Sequence, residues 1–106
     1  MAVPAQVQST ISQTYATLAD SITHNKPAVE KSILAPKYID HASLKLNVYQ
    51  YDPLTVLVQK VDAQGSTMLV VHAQWVGIGK NHENTVDRWS LMNGSWRLVE
   101  RNHTRP

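Results

Sequence analysis

The chain has no cysteine and no phenylalanine, and only 17% of its residues are charged. Without cysteine there is neither a disulfide nor a thiol nucleophile, and the compartment is left open. Without phenylalanine, large apolar volume must come from three tryptophans, four tyrosines and the Val/Leu/Ile set. The formal charge of +2 permits contact with an anionic partner. It supplies no continuous basic patch of the kind that nucleic acid requires. No apolar run approaches the roughly 20 residues of a membrane span, so no membrane segment is expected. The start, Met1-Ala2-Val3-Pro4-Ala5, lacks the basic and apolar segments of a signal peptide. A soluble protein is expected, and a mature exported chain would read the same way.

What is present fits one domain over 1–106. A chain of this size buries only about two-thirds of its unfolded surface, so it gains from a dimer interface. Residues 1–8 read as a flexible N-terminus and 9–35 as helices. Ile11, Tyr15, Leu18 and Ile22 form one helical stripe. Thr10 and Gln13 suggest a capping box at its start. His24-Asn25-Lys26-Pro27 breaks this helix, and Pro27 suits the first turn of a second, with Val29, Ile33 and Leu34 apolar and a stop before Pro36.

From residue 53 to 104 the pattern becomes an antiparallel meander of β-branched residues at period two. Strands are expected at Leu54–Asp62, Thr67–Gly79, Asn84–Met92 and Ser95–Thr104, with turns at Ala63–Ser66, Lys80–Glu83 and Asn93-Gly94. Asn-Gly is the strongest of these signals, because a type I′ turn needs positive φ at both central positions. Within Tyr38–Asp52, Leu44, Leu46 and Val48 alternate like an edge strand. Helices followed by strands make an α+β domain, a curved antiparallel sheet with helices on one face.

The Asn93-Gly94 turn sets a register. With Met92 opposite Ser95, one face carries Leu91, Trp96, Trp89 and Leu98, then Asp87 opposite Glu100. Opposed carboxylates repel, and beside an apolar wall their pKa values would separate. Solvated carboxylates with Arg88 or Arg101 leaning over them are the plainer reading. If Gly79 pairs with Asn84, His72 and Gln74 join the tryptophan face and Trp75 the opposite one. His72 is then a candidate general acid or base, or a hydrogen-bonded core histidine. The opposite face, with Leu69, Val71, Ala73, Trp75, Met92 and Val99 beside Arg88, Arg97 and Arg101, reads as a sheet-face homodimer contact or a helix-covered surface.

The run Asp87-Arg88-Trp89 followed by Asn93-Gly94-Ser95-Trp96-Arg97-Leu98-Val99 resembles the D-x-W…(D/N)-G-x-W-(R/K)-(L/I)-V hairpin of nuclear-transport-factor-2-like domains. Ala35-Pro36-Lys37-Tyr38-Ile39-Asp40 is similar to their "l-a-p-d-y" segment. That superfamily includes SnoaL-like polyketide cyclases, ketosteroid isomerases and small bacterial domains without assigned function. The resemblance implies a cone-like, cystatin-type roll with a pocket at its open end, and dimers through the outer sheet face. Some members are isomerases, cyclases or dehydratases, and others bind or assist. The family's third helix and extra strand have only Tyr38–Asp52 to fill here, so a shortened, shallower cone is expected. No catalytic residue carries over position by position.

No metal is expected, since no two histidines have ligand spacing; no cofactor motif is seen, and Gly77-Ile78-Gly79-Lys80 lacks phosphate-loop spacing. Three functions compete. The favoured one is a dimeric binding or accessory domain holding a small apolar or aromatic ligand against Trp89 and Trp96, with Gln74, Leu91, Leu98, Tyr15 and Tyr38. The second is a lyase or isomerase using His72 with Asp87 or Glu100. The third is a protein-interaction module whose pocket is filled core.

Overall fold

The computed structural model describes residues 3–40, 55–76 and 82–104. Two helices, α1 (Ala5–Thr23) and α2 (Pro27–Ile33), precede five strands. These are β1 (Leu34–Asp40), β2 (Thr55–Ala63), β3 (Met68–Val76), β4 (His82–Met92) and β5 (Ser95–Thr104). The curved, unclosed sheet has the order β1-β5-β4-β3-β2. The architecture is α+β, as the order of helical and alternating patterns implied.

Helix α1 starts at Ala5, ahead of the expected capping box and inside the segment read as flexible. Pro4 stands at its N-cap, and Val3 is buried against the core. Thr10 therefore lies within the helix, where its hydroxyl donates to the Gln6 carbonyl at 2.9 Å. Such back-bonding is the usual way a mid-helix threonine satisfies itself. The expected stripe is the buried face: Ile11, Tyr15 and Leu18 are sealed, and Ile22 packs beside them. Asn25 closes the helix with φ of 52°, a left-handed conformation that asparagine tolerates. Pro27 opens α2 as expected.

Helix α2 ends at Ile33, and the chain passes directly into β1. Residues 34–35, read as helical, are extended because Pro36 and its ring disfavour helix in the residue before it. Strand β1 pairs in parallel with β5, Leu34 facing Leu98 and Asp40 facing Arg101. The remaining pairs are antiparallel, as the meander implied. Gln64 N–H bonds the Met68 carbonyl at 2.9 Å across the β2–β3 connection, where Gly65 takes φ of 83°. Asn93 (φ 51°) and Gly94 (φ 81°) form the expected turn. The run Leu44, Leu46, Val48 and the Gly77–Lys80 segment lie outside the described residues.

Two registers differ from expectation, and they decide which side chains share the interior. Gln74, not Gly79, pairs with Asn84, so Leu69 faces Trp89, Val71 faces Asp87 and Ala73 faces Thr85. The offset is odd, and an odd slip exchanges the faces of a strand. Leu69, Val71, Ala73 and Trp75, expected outside, form the floor of the core. In the β4–β5 pair the register shifts between Arg88 and Trp89: Trp89 faces Leu98 while Arg88 faces Glu100. Val99 is the extra residue of this β-bulge, which turns every later β5 side chain over. Asp87 consequently faces Arg101 rather than Glu100.

Candidate functional site

The inner face of β4 presents Thr85, Asp87 and Trp89 in alternation, all sealed from solvent. The bulge in β5 brings Arg101 to the same side, 3% exposed. From above, α1 lowers Tyr15 between Trp75 and Trp89, edge-on to both rings with centroids 5.9 and 5.1 Å away. Such tilted contacts set the positive ring edge against the negative face.

The polar atoms form a closed circuit around the Asp87 carboxylate. Arg101 Nε donates to Oδ1 at 3.0 Å and a terminal guanidinium nitrogen to Oδ2 at 3.4 Å. Tyr15 donates its hydroxyl to Oδ2 at 2.5 Å, and Thr85 Oγ1 donates to the same atom at 3.2 Å. Each hydroxyl is in turn an acceptor. Trp89 Nε1 donates to the Tyr15 oxygen at 2.9 Å, and Trp75 Nε1 to Thr85 Oγ1 at 3.0 Å. The Arg101 guanidinium also lies over the Trp75 ring, 4.6 Å from its centroid, where the ring quadrupole attracts the cation. Four donor contacts thus converge on the carboxylate, one at Oδ1 and three at Oδ2.

The electrostatics match this geometry. Burial pushes the Tyr15 phenol well above the ordinary tyrosine value, and the charge of Asp87 and its hydrogen bond push the same way. Burial alone would lower Arg101, but the Asp87 charge, with Tyr38 and Tyr15 assisting, outweighs it and raises the guanidinium above its ordinary value. Tyr15 therefore stays a neutral donor and Arg101 a cation.

The expected site residues divide between the two sides of the sheet. Tyr15, Asp87, Trp89 and Leu98 are gathered in the sealed interior. Trp96, Leu91 and Tyr38 are half-buried, with Trp96 and Tyr38 packed against the core. His72 and Gln74 alternate with the buried residues of β3 and so face the other way, correcting their placement on the tryptophan face. Glu100 also lies outside, 3.5 Å from Arg88. His72, Asp87 and Glu100 are not brought together as an acid–base set. Arg101, Thr85 and Trp75 belong to the interior cluster but were not among the expected site residues. Two signals could have found them. The set Leu69, Val71, Ala73, Trp75 is more apolar than Val70, His72, Gln74, Val76, and the more apolar set belongs in the core. A carboxylate opposite a carboxylate is also a worse pairing than one opposite Arg101.

Among the described residues, no group of three or more metal-ligating side chains is assembled. No described helix is long and apolar enough to cross a membrane.

No protein-family model and no curated protein matches the sequence. Solved structures do match the fold. A domain of unknown function with a cystatin-like fold from Nostoc punctiforme superposes with a TM-score of 0.75 at 12% identity, over 98% of this chain and 80% of that one. A nuclear-transport-factor-2-like protein of unknown function from Silicibacter pomeroyi gives 0.74 at 12% identity, over 97% and 98%. Another from Shewanella baltica gives 0.70 at 10% identity, with both chains covered completely. Identities this low speak to architecture alone: the chain has the cystatin-like fold of nuclear-transport-factor-2-like proteins.

Proposed function

We propose that the chain is a binding or accessory domain that works without catalysis, as a homodimer joined through the outer sheet face, and holds a small apolar or aromatic ligand. The observation that carries this reading is the sealing of Asp87, which is 0% exposed. Its carboxylate is bonded to Arg101, Tyr15 and Thr85, and Tyr15 and Thr85 are themselves held by tryptophan N–H groups. A carboxylate closed off in this way is not presented to a substrate proton, and general-base work requires hydrogen-bond reach of one. The acid–base alternative loses further ground because His72 and Glu100 face away from Asp87.

The ligand would rest on the half-buried side chains Trp96 and Leu91, with Trp89 behind them. The outer face supports self-association by its composition. Leu57 is 51% exposed there, and Val70, Val76 and Val86 are half-buried in the isolated chain, beside Arg88 and Glu100. An apolar centre with an arginine-bearing rim is the usual anatomy of an interface. These residues replace Leu69, Val71, Ala73 and Trp75 as the proposed contact. The third reading, an interaction module with no ligand, draws on the complete burial of Trp89 beneath Tyr15.

Titration of the full chain with aromatic small molecules, read by tryptophan fluorescence and by sedimentation, tests the proposal. The expected result is a saturable spectral shift that disappears in Trp96→Phe, on a species of dimer mass. A flat titration with dimer mass retained would favour the interaction module, and a monomer at every concentration would sink the outer-face contact.

A further inference from the structure

Where α2 passes into β1, a notch of about 360 Å³ opens, lined by Lys31, Leu34, Ala35, Pro36, Tyr38 and Arg97. Its volume lies at the small end of the range for ligand pockets. Leu34, Ala35 and Pro36 supply apolar walls and Tyr38 a half-buried ring. The two charged lining residues have the same sign. Neither Lys31 nor Arg97 forms an ion pair with a carboxylate among the described residues, whereas Lys26, Lys60, Arg88 and Arg101 each do. Across the β4–β5 ladder, Arg97 faces neutral Ser90.

Arg97 is also positioned rather than loose. One terminal nitrogen reaches the Leu34 carbonyl at 3.5 Å, which ties the guanidinium to the wall of the notch. That single long contact leaves most of its five N–H donors available. Lys31 stands in the last turn of α2, on the other side of Leu34 in the chain. A guanidinium fork beside an ammonium, over an apolar wall with no acidic group in the lining, is complementary to a carboxylate carrying an apolar body.

We infer that this notch binds a small amphipathic carboxylate, of the arylalkanoate class, with its carboxylate between Arg97 and Lys31 and its ring against Leu34, Pro36 and Tyr38. The site is separate from the Trp96 surface, so the inference does not depend on the proposed function.

The test uses the isotopically labelled full chain and phenylacetate, with phenylacetamide and inorganic phosphate as the uncharged and body-less controls. Phenylacetate is expected to shift the amides of Leu34, Ala35, Lys37, Tyr38 and Arg97 saturably. The amide and phosphate should each bind at least about tenfold more weakly, as should phenylacetate to Lys31→Gln and to Arg97→Gln, from the loss of a charge-assisted contact. Arg97 also holds Leu34, so Lys31→Gln, on an exposed helical turn, decides the matter if Arg97→Gln does not fold. Shifts centred on Trp96, or none at all, would overturn the inference. So would equal binding of phenylacetamide or phosphate, or wild-type affinity in Lys31→Gln.

Discussion

Asp87 and Asp20 each draw basic groups to a carboxylate, and they sit at opposite extremes of solvent access. Asp87 is sealed, and its partner Arg101 has a side chain only 4% exposed. Asp20, near the end of α1, meets Lys26 at 3.2 Å and His24 at 2.8 Å with half its side chain in water. The distances are similar, so distance does not separate the two clusters. Water does. Around Asp20 it can replace a lost partner, whereas around Asp87 only the five surrounding side chains can. The inner cluster therefore specifies how α1 sits on the sheet, and the outer one trims the end of a helix.

The largest expected effect comes from breaking the sealed pair on one side. Asp87→Ala strands a buried guanidinium, and Arg101→Ala strands a buried carboxylate. Either should cost about 3–5 kcal/mol in the urea-unfolding free energy. The double variant Asp87→Leu/Arg101→Met removes both charges and should be more stable than either single change. If the single variants lose no more than a surface pair would, the circuit is not holding the fold.

Less is at stake in Tyr15→Phe, which keeps the ring between Trp75 and Trp89 but deletes one hydroxyl. Trp89 Nε1 then loses its acceptor and Asp87 one donor, at a cost of about 1–3 kcal/mol. The same residue carries a sign-defined pH effect. Its folded pKa is raised, so its contribution to stability is complete below the ordinary tyrosine value. That contribution is lost as pH rises from there towards the folded value. Ultraviolet titration should show one phenol that ionises late in the wild type and is missing in Tyr15→Phe. A phenol count that does not change in the late phase would contradict the sealed Tyr15–Asp87 bond.

The two clusters also explain how much of the molecule was legible in the sequence. The Ile11/Tyr15/Leu18/Ile22 stripe, Pro27 and Asn93-Gly94 are local signals, and helices and turns form on local rules. The elements they mark are in place. The interior circuit depends on two non-local choices, the β3–β4 register and the bulge at Val99. No glycine marks that bulge, and the hairpin pattern up to Trp89/Leu98 fits with or without it. A single extra residue beyond that point exchanges Glu100 for Arg101 at the inner face. Asp87 and Trp89 were thus placed from sequence, while the cation completing their site was assigned to the wrong side. Strand β1 escaped because three apolar residues, Ile33, Leu34 and Ala35, read equally as the end of a helix or the start of a strand.

The smallest expected effect tests the outer member of the pair. Hydrogen bonding from Lys26, the largest cause, with lesser help from the charges of Lys26 and His24, holds Asp20 below its ordinary pKa against the opposing effect of desolvation. A depressed folded pKa means a contribution present above the ordinary aspartate range and lost as pH falls through the folded value. Lys26→Ala removes the largest cause, so the Asp20 carboxyl, followed by NMR, should titrate closer to its ordinary value. Raised salt should bring the wild type partway there, since exposed charges are screened. Neither change should move the urea midpoint by anything approaching the Asp87→Ala effect, because water takes the place of Lys26. A Lys26→Ala variant as damaged as Asp87→Ala would mean that α1 is anchored at its end rather than through Tyr15, reversing the roles of the two aspartates.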